Sequence, residues 1–220
     1  MFWFLGQPIE NIILGALVRL FIIFCILPLH EFAHAFASHK LGDDTAKWMG
    51  RMTLDPIKHM DPVGAVCIFL FGFGWAKPVP VNPNKYKNRR TGLALVSAAG
   101  PLSNVLAAVV GMFVFRLLFA LNVAVPFPVE FLFNTFIQIN ITLAVFNLIP
   151  IPPLDGADIL DLFLPRKARM FMDRNQRSLQ LALMILLLLG AVSSFIFTVT
   201  SFLSNALWSG VDALFRLFGA

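Results

Sequence analysis

The chain has 220 residues and a formal net charge of +5, with 58% hydrophobic and only 13% charged residues and a mean hydropathy of +0.80. A soluble domain carries about a quarter charged residues, so this composition excludes an ordinary soluble globule and calls for lipid around the chain. The 17 Lys and Arg residues cluster in short loops between apolar runs, a pattern of membrane orientation and not of nucleic-acid binding.

The first apolar run, Ile12 to about Phe36, is long enough to span a bilayer, which takes ~20 helical residues. It lacks the basic start of a signal peptide and is read as mature protein. Leu93–Leu121 and Phe131–Pro150 are two further spans, and Leu179–Leu203 is a fourth. Arg19 and Arg116 lie within snorkelling distance of span ends. Cys25 and Cys67 sit in apolar runs without CxxC spacing and are read as buried thiols. Ser204–Ala220 is expected to form an amphipathic interfacial helix.

Asp61–Ala76 is the ambiguous segment: 16 residues containing Gly64, Gly72 and Gly74, running into the Pro-rich Lys77–Pro83. Charge decides its path. If it dips into the membrane and returns, fourteen loop Lys and Arg residues share one side against Arg216 alone. If it crosses, they divide ten to five, which the positive-inside rule disfavours. The expected fold is therefore an all-α polytopic membrane protein with about four spans and a re-entrant segment carrying short extended or β structure. Residues 1–220 form one integral-membrane domain, with a core over about 12–160, a last span over about 179–203, and both termini outside.

His30-Glu31-Phe32-Ala33-His34 is an HExxH sequence at the end of the first span. On a helix, positions i and i+4 share a face, so both imidazoles reach one Zn²⁺ while Glu31 stands beside them as a general base. Three ionisable residues within five positions of a span are expensive unless paired or functional; the plainer reading is a polar cluster meeting headgroups. A zinc site needs a third protein ligand. The metzincin extension fails, because Ala37 and Lys40 stand where Gly and His are required. His39 and His59 read as loop histidines.

Asp155, in Asn147-Leu148-Ile149-Pro150-Ile151-Pro152-Pro153-Leu154-Asp155-Gly156, is the better candidate. Prolines and Gly156 break the helix there and free the carboxylate to turn. Alone, an Asp at a helix terminus is unremarkable. The four-span topology tips the choice, since it brings the HExxH end and the Asp155 end to the same membrane face. Pro78, Pro80 and Pro83 keep the segment around Val79 and Val81 extended, which suits pairing with an unwound substrate strand. A plain connecting loop is the alternative for this segment. Gly100-Pro101 is expected to kink a helix and admit a close neighbour, and Asn104 to bond across helices. The basic run Arg166–Arg177 is expected near anionic headgroups.

Together, HExxH in a first span, GWAKPVPVNP over Gly74–Pro83, AAGPLSN over Ala98–Asn104 and NLIPIPPLDG over Asn147–Gly156 resemble the site-2 protease family, in its small prokaryotic form without PDZ or CBS domains. The resemblance covers roughly Leu27–Leu160. It implies that His30, His34 and Asp155 bind one catalytic Zn²⁺ per chain and that Glu31 is the base. It further implies that Asn147 contacts the substrate backbone or the developing oxyanion. The expected activity is zinc-dependent cleavage of single-span membrane-protein substrates in or near the bilayer, in a multi-pass cell-membrane protein whose active site lies near the cytoplasmic face, with no nucleic-acid partner. A non-hydrolytic membrane metal-binding or zinc-transport protein is the alternative, and it leaves Glu31 without a role.

Overall fold

Apolar sequence becomes helix almost throughout. The computed structural model describes residues 8–71 and 74–217; Gly72 and the last three residues of the C-terminal stretch lie outside them. Ten α-helices form among the described residues, and no β-strand does. Three helical stretches are long and apolar enough to cross a membrane: Ile12–Lys40, Arg89–Ala120 and Phe127–Asn147. The chain divides into two compact units, Met1–Gly100 and Pro101–Ala220.

In the first unit, α1 (Ile9–Phe21) runs through a π-helical turn, Ile22–Ile26, into α2 (Leu27–Lys40). Pro28, which is fully buried, explains the turn. A proline has no N–H for the i−4 carbonyl and its ring collides with that carbonyl, so the preceding turn widens. Gly42 closes α2: its φ of +98° lets its N–H reach the His39 carbonyl (3.0 Å) while the Asp43 N–H reaches Ser38 (3.0 Å). Short helices α3 (Thr45–Trp48) and α4 (Pro56–His59) follow.

The ambiguous segment turns back on itself. Its helix, α5 (Pro62–Phe71), has 10 residues, about 15 Å at 1.5 Å per residue, half of the ~30 Å hydrocarbon thickness. The chain then returns extended, and the Lys77 N–H donates to the His59 carbonyl at 2.8 Å, closing the excursion where it began. Small residues permit the return: a Cβ on Gly64 would lie 2.0 Å from the Trp75 carbonyl oxygen, and one on Gly74 would lie 2.2 Å from that of Gly64. The expected short β structure does not form, because 74–82 meets side chains and loop carbonyls where a ladder partner would be. His59, read as a loop histidine, ends α4 and is buried, with Nε2 on the Thr53 carbonyl at 2.8 Å. Cys25 is exposed and Cys67 half-buried; both thiols are free, against the expectation of buried ones.

The second unit is built on α6 (Arg89–Ala120, in which the unit boundary falls), α7 (Phe127–Asn147), α8 (Asp155–Asp161), α9 (Arg166–Leu188) and α10 (Ser193–Leu217). Ala108, Met112, Ile137, Ile141, Val145, Val211 and Phe215 form its core. Two buried amides tie α6 to α7: Asn104 Nδ2 donates to Asn140 Oδ1 at 2.9 Å, the cross-helix bond expected of Asn104. Arg116 Nε meets Asp212 of α10 at 3.2 Å.

The apolar run Leu179–Leu203 is not one span. Gly190, at φ +71°, ends α9 with its N–H on the Leu187 carbonyl and the Ala191 N–H on Leu186, both at 3.0 Å. The run is thus shared between the tail of α9 and the head of α10, and residues 204–217 continue α10 instead of forming a separate interfacial helix.

Candidate active site

Helical spacing puts His30, His34 and Ser38 on one face of α2, all buried. His34 and His30 turn their Nε2 atoms to within 3.0 Å of each other. The Nδ1 of His34 lies 2.8 Å from the Val96 carbonyl of α6. A carbonyl only accepts, so that nitrogen carries the proton and Nε2 keeps its lone pair for a ligand. This is the arrangement that orients a metal-binding histidine.

The pair is enclosed by a missing side chain. A Cβ built on Gly100, one turn after Val96 on α6, would lie 2.4 Å from His34 Nε2 and 2.5 Å from His30 Cε1. Gly100 was expected to allow close packing; what it admits is the two imidazoles themselves. Two nitrogens each about 2.0–2.1 Å from a tetrahedral zinc stand roughly 3.3 Å apart, so the pair needs to open by only tenths of an ångström. A second imidazole beside a His34 nitrogen of fixed tautomer gives two nitrogen donors, a set that suits zinc.

Glu31 points elsewhere than its neighbours. Its Oε2 accepts the Val79 N–H at 3.1 Å, joining the HExxH helix to the extended segment. Among the described residues, the Val81 N–H and the Val79 and Val81 carbonyls have no hydrogen-bond partner. Pro78 and Pro80 have no N–H, and the Asn82 N–H is taken by Asp43 at 2.6 Å. Val79 and Val81 alternate along the segment, so their groups lie on one edge.

Asp43 and Arg51 belong to the same surroundings; the sequence assigned Asp43 no role and counted Arg51 only among the loop charges. Burial opposes charge on Asp43. Hydrogen bonds from the Thr45 hydroxyl, the Asn82 and Thr45 N–H groups and Lys85 outweigh it, and hold its pKa down at about 2. A carboxylate whose folded pKa is depressed contributes stability above its ordinary range near 3.8, and that stability is lost as pH falls through about 2.

In the second unit, Asn147 ends α7, with Nδ2 on the Leu143 carbonyl at 3.0 Å, and Asp155 opens α8. The intervening turn is tight. A Cβ on Gly156 would lie 2.3 Å from the Leu148 carbonyl oxygen and 2.6 Å from that of Ile149, so only glycine lets α8 start against the end of α7. Asp155 and Asn147 are thereby held at the same end of α7.

Comparison with known proteins decides the family. Over 200 residues the chain is 39% identical to YwhC of Bacillus subtilis, named as a candidate zinc metalloprotease, covering 87% of this chain and 86% of that protein. The chain belongs to peptidase family M50. The M50 pattern itself matches residues 121–191, from the end of α6 to the turn after α9. This M50 chain is also 30% identical to Rip2 of Mycobacterium tuberculosis over 218 residues, covering 96% of the chain and 82% of that protein. With Rip2 of Mycolicibacterium smegmatis the identity is 33% over 144 residues, covering 61% and 52%. Both Rip2 proteins carry the same candidate metalloprotease name. No solved structure gives a significant match. The site-2 protease resemblance therefore holds for most of the chain.

Proposed function

We propose that this M50 peptidase is a zinc-dependent intramembrane endopeptidase, with His30, His34 and Asp155 as ligands, one zinc per chain, and Glu31 as general base. The observation that carries the reading is the His30–His34 pair, its two Nε2 atoms 3.0 Å apart and the His34 tautomer set by the Val96 carbonyl, with the Glu31 carboxylate next to His30 in the chain. Asp155 supplies the third donor: a carboxylate oxygen completes a two-His, one-carboxylate set suited to catalytic zinc. A zinc ion there supplies a Lewis acid that polarises the scissile carbonyl and acidifies water.

Glu31 accepts the proton from the attacking water and delivers it to the leaving amine. A helical substrate keeps its carbonyls bonded internally and has to unwind before attack. The Val81 N–H and the Val79 and Val81 carbonyls beside Glu31 offer replacement hydrogen bonds by strand addition. Asn147 donates to the substrate backbone or to the oxyanion. Substrates are single-span membrane proteins. The excursion closed at His59–Lys77 re-enters the bilayer from the cytoplasmic face, the face where the positive-inside rule sets most loop Lys and Arg residues. The protein is accordingly a multi-pass cell-membrane enzyme with its site near the cytoplasm.

Purified protein is expected to cut a single-span reporter substrate and to stop on addition of a chelator, with recovery on zinc. Zinc bound without any cleavage would favour a metal-binding or transport protein instead. Asp155→Ala is expected to lower zinc content and activity together, whereas Asp158→Ala and Asp161→Ala leave both near the parent level. Metal analysis of the three variants checks this, and a site emptied by Asp158→Ala alone would move the ligand by one helical turn.

A further inference from the structure

The extended segment 77–82 has no strand partner, yet buried ionisable side chains pin it at both ends. At one end, Arg51 Nη2 donates to the Lys77 carbonyl at 2.6 Å and the Pro78 carbonyl at 3.2 Å. Arg51 is only 8% exposed, and among the described residues no carboxylate pairs with it. A buried cation held by carbonyls alone is a poor stabilising device, since an apolar side chain of similar volume would fill the space at lower cost. At the other end, Asp43, at 0% exposure, accepts the Asn82 N–H at 2.6 Å and the Ser38 hydroxyl at 3.1 Å. Ser38 lies one turn beyond His34 on α2. Its hydroxyl also meets the Tyr86 hydroxyl at 2.8 Å, which fixes the chain just after the segment. Between the two pins lies Val79, with its N–H on Glu31.

We infer that Arg51 and Asp43 are positioning residues that hold segment 77–82 in register with Glu31 and keep the Val81 edge presented to an incoming substrate strand. The inference rests on the strand-pairing reading given above. Both residues act through the backbone they hold, and neither touches substrate. Arg51 is suited to this because one terminal nitrogen, Nη2, reaches two successive carbonyls from a charged, rigid plane. Asp43 fixes the opposite edge, so the segment cannot turn over and offer its proline-blocked side.

The test uses the full chain in detergent or nanodiscs, with Arg51→Ala, Arg51→Lys and Asp43→Asn. Three quantities are read: amide hydrogen exchange over 77–86, zinc content, and kcat and KM on a single-span substrate. In Arg51→Ala, exchange at Val79 is expected to quicken and kcat/KM to fall by about tenfold or more, the scale of a lost hydrogen bond to a charged group. Zinc content is expected to hold, with the loss falling mainly on KM. Arg51→Lys is expected to recover part of both effects, and Asp43→Asn to resemble Arg51→Ala. Should Arg51→Ala fail to fold, the two milder variants decide.

Exchange within about twofold of the parent in Arg51→Ala and Asp43→Asn, a change below the scale of one such bond, would overturn the positioning role. Faster exchange with unaltered kcat/KM would overturn it as well. Val81→Pro separates this from failure of the underlying reading. Normal turnover in Val81→Pro removes strand pairing, whereas unchanged exchange in Arg51→Ala removes positioning whatever Val81→Pro does.

Discussion

Glu31→Gln is expected to cut peptide-bond hydrolysis by about 10²–10⁴-fold, the contribution of a positioned general base, with bound zinc at the parent level. The glutamine keeps the size of the side chain, and its Oε1 can still accept the Val79 N–H that Oε2 accepts now. What disappears is the capacity to take a proton. Metal analysis beside a cleavage assay checks both halves. Retained proteolysis would remove the proposed mechanism, and loss of zinc would make Glu31 a ligand instead of a base.

Gly100→Ala is expected to weaken zinc binding by about 5- to 150-fold, the equivalent of roughly 1–3 kcal/mol of overpacking, and to depress activity with it. The added methyl would fall 2.4 Å from His34 Nε2. The ring cannot simply swing aside, because its Nδ1 is held by the Val96 carbonyl at 2.8 Å. Gly210→Ala is the control: a Cβ there meets nothing within 4 Å, so metal affinity should not move. Competition against a chelator of known affinity measures both. Equal affinity in Gly100→Ala and its parent would show that the rings have room and that the glycine is not what shapes the pair.

The part of this site most legible in sequence is the part carried by periodicity. His30 and His34 are four apart, and a helix gives them one face whatever surrounds them. The backbone partners are invisible at that level. Val96 contributes a carbonyl, and any residue would have supplied the same oxygen. Arg51 misleads in a different way: counted as a loop charge, it helps to orient the chain, yet its guanidinium is buried against two carbonyls. Composition cannot distinguish a cation facing headgroups from one facing backbone. Leu179–Leu203 shows the limit of hydropathy, since averaging across Gly190 hides a turn that divides the apolar run between two helices. The return closed at His59–Lys77 is expected from charge counting alone; that Gly64 and Gly74 permit it by close backbone approach is visible only in the structure.

That closure has a bearing on how such chains diversify. The His59 carbonyl and the Lys77 N–H meet at 2.8 Å, so residues 60–76 form a cassette with adjoining ends. Insertions or deletions within it change its length without transmitting a shift to Val79, since the flanking backbone is already joined. The length of the cassette and the alignment beside Glu31 are separately adjustable. A lineage can lengthen or shorten the cassette while the backbone at Val79 keeps its register, and a graft between relatives should be cut at these two residues.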